Sequence, residues 1–154
     1  MTNKDIIHVT ARAVIIDSDH ILLCQTTDLE HNFYFMPGGH IEHGESAANA
    51  LLRELVEEAG SSGWIKRLLG VMEYSFEPGY SSICHNHEYC FYFEVALDEL
   101  HYGDKLPKIE EKADLVWMRT TELANLDFRP APMARLLPIW LNKNMENNFY
   151  SEMR

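Results

Sequence analysis

The chain contains 154 residues, enough for one domain of ordinary size and too few for two separate hydrophobic cores. Its 13 Lys and Arg residues are outnumbered by 24 Asp and Glu residues, so the formal net charge is −11. A strongly negative surface repels nucleic acids and anionic membranes, and we therefore expect neither as a partner. An acidic protein can still bind phosphate compounds when a bound cation supplies positive charge.

The N-terminal residues and the cysteines indicate a reducing, cytoplasmic location. The first residues lack the apolar segment of a signal peptide, and no apolar run is long enough to span a bilayer. Cys24, Cys84 and Cys90 show no CxxC spacing, which favours reduced thiols packed in or beside strands. The alternative is a zinc site whose ligands would be Cys84, His85, His87 and Cys90. Packing is the favoured interpretation, because neighbouring side chains of a strand leave on opposite faces.

The first part of the chain predicts three strands followed by a helix. The strands are Ile6–Ile16, Ile21–Thr27 and Phe33–Met36, the first two joined as a hairpin through a polar turn. Pro37 leads into a glycine-punctuated loop from Gly38 to Gly44. Ser46 is a good N-cap and Gly60 a good C-terminal stop, so we expect a helix between them.

The second part predicts three more strands and a second helix. The strands are Trp64–Phe76, His87–Leu97 and Leu115–Met118, and a bend is expected in the first of them at Gly70. Residues 98–112 are expected to be irregular, and Thr121–Leu126 to form a helical turn. The second helix is Met133–Asn142, and its core positions are Met133, Leu136, Leu137 and Trp140. This order predicts an α/β protein, an α/β/α sandwich around a mixed sheet. We expect one domain over residues 1–154, with a polar tail, residues 144–154, that frays.

The first predicted helix has two distinct faces. One is apolar and should be buried; its residues are Ala48, Leu51, Leu52, Leu55 and Ala59. Glu54, Glu57 and Glu58 stand at i, i+3 and i+4, so their carboxylates converge on another face. A cation would relieve the repulsion between them, and carboxylate oxygens suit Mg²⁺ or Mn²⁺ better than zinc. The alternative is a solvated acidic stripe.

The glycines before this helix favour a shaped site over a plain connection. Gly38 and Gly39 let the main chain approach a ligand or ion closely, and Gly44 allows a tight turn just before the helix. Pro37 stiffens the entry to this segment. Acidic residues and glycines therefore occur together where a cation site would need both.

The segment from Gly39 to Ser61 resembles the signature of the Nudix hydrolase family, GX5EX7REUXEEXGU, where U is a bulky aliphatic residue. Its fixed positions are matched in order by Gly39, Glu45, Arg53, Glu54, Leu55, Glu57, Glu58 and Gly60. Only the final aliphatic position departs, because Ser61 stands there. The resemblance implies a Mg²⁺-dependent enzyme that hydrolyses a diphosphate linkage, with Mn²⁺ as a possible substitute.

The resemblance also implies roles for individual residues. The metal ligands would be Gly38 through its carbonyl, Glu54, Glu57 and Glu58. The catalytic residues would be Arg53, which orients a glutamate and pairs with Glu45, and a general base that is either Glu54 or Glu111. Glu111 is chosen by its distance from Trp117 of the late strand, with Glu110 as the alternative. Lys108 and Lys112 could instead screen both acids. His40 and His43 are expected to be exposed loop residues.

The substrate is less well defined than the reaction. We rank a nucleoside triphosphate first, and ADP-ribose or a nucleotide sugar close behind. A non-catalytic domain that senses nucleotides stays an alternative, although every acidic position of the signature is present. Base-stacking candidates are Phe33, Tyr34, Phe35, Tyr74, Phe76, Tyr80, Tyr89 and Tyr92, each of which could equally be buried. We expect a small nucleotide-type substrate as partner, and a homodimer is possible.

Overall fold

The computed structural model describes residues 6–27, 32–75, 86–108, 111, 113–144 and 148–153. The strands are β1 (Ile7–Val14), β2 (Ile16–Asp17), β3 (His20–Thr26), β4 (Tyr34–Phe35), β5 (Gly38–His40), β6 (Gly63–Ser75), β7 (His87–Leu97), β8 (Ala113–Arg119) and β9 (Phe149–Ser151). The helices are α1 (Ala47–Ala59) and α2 (Met133–Leu141), with a 3-10 helix at Thr120–Asn125.

The strands form two sheets, and the mixed sheet expected from the sequence is the larger of them. The larger sheet has the order β5-β1-β7-β6-β9 and is mixed, since β1 and β7 are parallel whereas β6 and β7 are antiparallel. The smaller sheet is built on β3, which pairs antiparallel with β2, β4 and β8. Strand β1 ends at Val14, and its hairpin partner β3 belongs to the smaller sheet.

The two helices cover opposite faces of the larger sheet, which confirms the expected α/β/α sandwich. Leu51 and Leu55 of α1 pack in one hydrophobic cluster with Phe93 and Val95 of β7. The residues that alternate with these along β7 belong to the other cluster, in which Tyr92 meets α2. The predicted stripe of α2 is confirmed as buried at Met133, Leu136, Leu137 and Trp140.

Helix α1 has the predicted ends. The Ser46 hydroxyl accepts a hydrogen bond from the Asn49 N–H at 3.1 Å. Gly60 adopts the left-handed conformation with φ of 62°, and its N–H donates to the carbonyl of Val56. Leu51, Leu55 and Ala59 are buried as expected, whereas Ala48 and Leu52 are only partly buried. The apolar face of α1 is therefore narrower than the sequence suggested.

Two segments contradict the sequence-based expectations. The glycine loop begins as strand β5, in which Gly38 is paired with Arg12 and His40 with Thr10 of β1. The tail that was expected to fray contains β9, which pairs parallel with β6 at Val71–Glu73. Both strands are only three residues long, and no run of alternating apolar and polar residues marks them in the sequence. The predicted bend of β6 is present as a register shift between Leu68 and Gly70.

The cysteines of the described residues are packed inside the protein. Cys24 and Cys90 are free and buried, and burial raises the pKa of Cys90 to about 12. Cys84 and His85 of the alternative zinc site lie outside the described residues. His87 and Cys90 are three positions apart on β7, so their side chains leave on opposite faces. Within the described ranges, no helix is long and apolar enough to cross a membrane.

Candidate active site

The glycine segment lies against the acidic face of α1. The N–H of Gly38 donates to Glu58 Oε2 at 2.8 Å, and its carbonyl accepts from Arg12 Nη1 at 2.8 Å. Gly38 has a φ of 135°, and a Cβ there would stand 2.0 Å from the carbonyl oxygen of Ala11. Only glycine fits this position, because both the backbone conformation and the space exclude a side chain.

Gly39 makes room for a carboxylate beside the main chain. A Cβ at this position would lie 2.4 Å from Glu54 Oε1. The Glu54 side chain is 18% exposed, so it is largely enclosed while remaining reachable from solvent. The close approach of backbone and acid, which the paired glycines suggested, is thus present at Gly39.

Arg53 connects the acidic residues of the site. Its guanidinium contacts Glu45 at 2.7 Å, Glu54 at 3.1 Å and Glu57 at 3.5 Å. Its Nη2 also donates to the carbonyl of His40 at 3.2 Å. The hydrogen bond with Glu45 is the main cause that raises the pKa of Arg53, and the same hydrogen bond lowers the pKa of Glu45. Arg53 therefore stays charged and fixes both the loop and two carboxylates of the helix.

The donors at this site fit a hard divalent cation. Three carboxylates and the Gly38 carbonyl supply oxygen atoms only, the ligand type that Mg²⁺ and Mn²⁺ prefer. Glu57 is 56% exposed, and Glu54 and Glu58 reach the glycine segment. In the described part of the chain, no three acidic, histidine or cysteine side chains stand close enough together to enclose an ion. Glu54 and Glu58 approach Gly39 and Gly38, whereas Glu57 contacts Arg53.

Glu111 lies apart from this cluster. It is exposed, and its backbone carbonyl accepts a hydrogen bond from Thr27 Oγ1 at 3.2 Å. Among the described residues, no hydrogen bond or ion pair joins its carboxylate to the residues of α1. Lys108 binds Asp114 at 2.6 Å rather than Glu111. Glu110 and Lys112 are outside the described residues.

A row of arginines and phenyl rings adjoins the glycine segment, and sequence reasoning missed most of it. The guanidinium of Arg12 stands 5.6 Å from the ring centre of Phe35, which is 5.9 Å from that of Phe33. Arg129 covers Phe33 at 4.2 Å and is held by Asp127 through two hydrogen bonds of 2.9 and 3.0 Å. The intervening residue of β4, Tyr34, packs on the core instead. Strand alternation predicts that Phe33 and Phe35 lie on the face opposite Tyr34. Nothing in the sequence predicts the contact between Arg129 and Phe33.

Comparison with known proteins identifies the family. A model of the NUDIX domain matches residues 6–138, which is most of the chain. This protein belongs to the Nudix family. The match reaches far beyond the segment Gly39 to Ser61 and extends from β1 to Pro138 of α2, while β9 lies outside it.

Nudix relatives resemble this chain over part of their length. A human diphosphoinositol polyphosphate phosphohydrolase 3-alpha is 38% identical over 60 residues, which is 39% of this chain and 36% of the relative. A Bacillus subtilis (strain 168) protein, named among the 8-oxo-dGTP diphosphatases, is 35% identical over 60 residues, 39% of each chain. This chain thus matches little more than a third of the length of these relatives.

A solved Nudix structure resembles the whole chain. A NUDIX hydrolase from Nitrosomonas europaea has a TM-score of 0.68 and 23% identity, with 92% of each chain covered. At this identity the likeness concerns the fold alone.

The final position of the Nudix signature is occupied by a buried serine. Ser61 is 2% exposed, and its hydroxyl donates to the carbonyl of Ser62 at 2.9 Å and accepts from the N–H of Glu99 at 3.3 Å. Ser62 in turn binds Asp98 at 3.0 Å. The exit of α1 is therefore tied to the turn after β7 by polar contacts, where an aliphatic residue would offer only packing.

Proposed function

We propose that this Nudix protein is a Mg²⁺-dependent hydrolase that cleaves a diphosphate linkage in a nucleotide, with a nucleoside triphosphate as the first candidate substrate. The observation that carries the proposal is the approach of Glu54 to Gly39 and of Glu58 to Gly38, with Glu57 joined to Glu54 through Arg53. A solvated acidic stripe would not need Arg53 to hold two of its members, nor a glycine cleared for a carboxylate. Relatives named as diphosphatases or phosphohydrolases agree with this assignment.

Each residue of the site would have a distinct role in such a reaction. Gly38, through its carbonyl, and Glu54, Glu57 and Glu58 would hold the cation, which supplies charge neutralisation and alignment of the phosphate chain. Arg53 orients Glu54 through the 3.1 Å contact and is itself anchored by Glu45. Glu54 is enclosed beside Gly39 and can accept a proton from the attacking water.

Glu111 remains a second candidate for the general base. It lies in the segment before β8, exposed and without a contact to α1, so in this role it would have to turn towards the site when substrate binds. If Glu111 is the base, Glu111→Gln lowers kcat by roughly two to four orders of magnitude, and Glu110→Gln serves as the matched control. The reverse pattern, a loss in Glu110→Gln with a near-normal kcat in Glu111→Gln, would move the role by one residue. Near-normal kcat in both variants would assign the base to Glu54.

The phenyl rings beside Arg129 support a nucleotide as the substrate class. Phe33 and Phe35, with the Arg129 guanidinium 4.2 Å from the ring centre of Phe33, suit a flat, electron-rich base attached to anionic phosphates. A polyphosphorylated inositol has no ring that could stack, and it would call for more cationic side chains. ADP-ribose and nucleotide sugars share the base and diphosphate and therefore remain alternatives to a triphosphate.

A substrate screen tests the proposal. Purified protein with Mg²⁺ is incubated with nucleoside triphosphates, ADP-ribose, nucleotide sugars and a diphosphoinositol polyphosphate, and the products are separated. We expect release of diphosphate from a triphosphate, and no turnover after exhaustive chelation. Hydrolysis in oxygen-18 water should place the label on a phosphate product. Nucleotide binding without turnover at any divalent cation would instead favour the sensing domain, and label on the sugar would contradict the chemistry.

The expectation of a homodimer stays a prediction. Light scattering during gel filtration measures the mass directly, and a value near 17.9 kDa would contradict it.

A further inference from the structure

Arg12 of β1 joins the two ends of the turn that leads into the glycine segment. Its Nη1 donates to the carbonyl of Met36 at 3.1 Å and to that of Gly38 at 2.8 Å. These carbonyls stand on either side of Pro37, and Arg12 is the strand partner of Gly38. A single guanidinium nitrogen thus fixes the path of the chain immediately before the acidic face of α1.

A buried carboxylate lies on the same face of the sheet as Arg12. Glu88 of β7 is 5% exposed, and the hydroxyl of Thr10 donates to its Oε1 at 2.5 Å. Burial lowers the pKa of Arg12, but electrostatic interactions with Cys90, Glu88 and Glu58 outweigh that effect and raise the pKa. Arg12 therefore keeps its charge inside the protein, and Glu88 compensates that charge from within the sheet.

The peptide groups at Gly38 are held from two directions. Its N–H is bound by Glu58, a residue of the acidic face, and its carbonyl is bound by Arg12. A carbonyl oxygen has two acceptor lone pairs, so the bond from Arg12 leaves one of them for a cation. Gly38 is the first residue of the three-residue edge strand β5, and Arg12 holds its carbonyl from the neighbouring strand β1.

We propose that Arg12 is a positioning residue that orients the Gly38 carbonyl towards the divalent cation, and that Glu88 keeps the guanidinium in place for this task. The inference rests on the proposed function and extends it to residues that lie outside the Nudix signature. Arg12 acts through Gly38 and touches neither the cation nor the reacting phosphate. Hydrogen-bonded partners of metal ligands typically change metal affinity by 10- to 100-fold when they are removed.

The chain offers a matched control for Arg12. Arg67 of β6 also binds both a carboxylate and a backbone carbonyl, Glu94 at 2.7 Å and Leu141 at 2.9 Å. It anchors the end of α2 rather than the glycine segment. Loss of Arg67 therefore removes the same kind of interaction without disturbing Gly38.

The test measures binding of Mn²⁺ alone, by the electron paramagnetic resonance signal of the free ion, in the full chain without substrate. We expect Arg12→Met to weaken Mn²⁺ binding by roughly tenfold or more, and Arg12→Lys to recover part of it, because an ammonium can donate to one of the two carbonyls. Glu88→Gln should also weaken Mn²⁺ binding, by a smaller factor than Arg12→Met. Arg67→Met should lower the melting temperature and leave Mn²⁺ affinity unchanged.

Each outcome decides between distinct roles. Unchanged Mn²⁺ affinity in folded Arg12→Met overturns the proposal, and tighter binding would make Arg12 a competitor of the cation. A raised KM with normal Mn²⁺ affinity would place Arg12 on the substrate, which also overturns it. If Arg12→Met does not fold, Arg12→Lys carries the test. Failure of the wild-type protein to bind Mn²⁺ would overturn the metal site and with it the proposed function.

Discussion

The two helices flank the same sheet but use their residues in opposite ways. Helix α2 buries Met133, Leu136, Leu137 and Trp140, and it has no acidic residue. Helix α1 buries Leu51, Leu55 and Ala59, and its other side carries Glu58 together with Glu54 and Glu57, which are linked through Arg53. Substitutions on α2 should therefore act on the free energy of unfolding, whereas substitutions on the acidic side of α1 should act on turnover.

The largest effect is expected for Glu57→Gln. The change is isosteric and the side chain is 56% exposed, so the fold should survive it. Loss of a cation ligand removes several kcal/mol of charge stabilisation in the transition state, so kcat should fall by about three orders of magnitude. Steady-state kinetics with Mg²⁺ and a circular dichroism melt measure both quantities. Glu122→Gln, an exposed glutamate of the 3-10 helix, is the control. Wild-type kcat in Glu57→Gln would show that the acidic face has no catalytic task.

The second effect concerns α2 and should leave the chemistry alone. Leu137 is 1% exposed in the core cluster that contains Tyr92, so Leu137→Ala should lower the free energy of unfolding by about 2–5 kcal/mol. The kcat of the folded fraction should remain normal. Urea denaturation gives the stability change, and Ile139→Ala, on the exposed side of the same helix, should cost far less. A large fall in kcat for Leu137→Ala would contradict the expectation that substitutions on α2 act on stability alone.

A smaller effect is expected for Gly39→Ala. The added Cβ would stand 2.4 Å from Glu54 Oε1, so the carboxylate has to move. Misplacement of a catalytic group by about 1 Å can cost roughly 100-fold in rate, and we expect a fall in kcat of roughly 10- to 100-fold with little loss of stability. Gly44→Ala is the reverse case, because its φ of 90° is strained for alanine while no atom lies within 4 Å of the new Cβ. Stability should fall more than kcat there, and unaltered kinetics in Gly39→Ala would make that glycine a simple connector.

The smallest effect is a pH dependence of stability at Glu45. Arg53 lowers the pKa of Glu45 below 4.5, so the folded protein binds this proton less readily than the unfolded chain. The contribution of the Arg53–Glu45 ion pair to the stability of the fold is therefore present above pH 4.5 and is lost as the pH falls through the lowered pKa of Glu45. The difference in melting temperature between wild type and Glu45→Gln should shrink in acid, while the deficit of Leu137→Ala persists. A difference for Glu45→Gln that is constant with pH would contradict the ion pair.

The sequence predicted the elements whose signals are local. The helix caps Ser46 and Gly60 and the apolar stripe of α2 depend on neighbours within a few positions, and the structure confirms them. Strands β5 and β9 were missed because each is defined by a partner far away in the chain, β1 for one and β6 for the other. The separation into two sheets was missed for the same reason.

The candidate site divides in a similar way. The signature brought Arg53, Glu45 and Glu54 to attention, and the structure places these three side chains in contact. Arg12 and Glu88 carry no such signal, since each is one of several polar residues in its strand, and only the parallel pairing of β1 with β7 brings them to one face. Glu111 was chosen by spacing along the chain, and spacing does not determine where an exposed loop residue points.

Strand β9 has a consequence for protein synthesis. It begins at Phe149, whereas β6 ends at Ser75, so the ribosome completes half of the chain between these two partners. During that interval β6 has an unpaired edge, next to Trp64 and Leu68, which are half exposed even in the finished fold. An unpaired strand edge is a template for association with another chain. A nascent chain that stalls before residue 148 therefore exposes a strand edge to which a chaperone can bind.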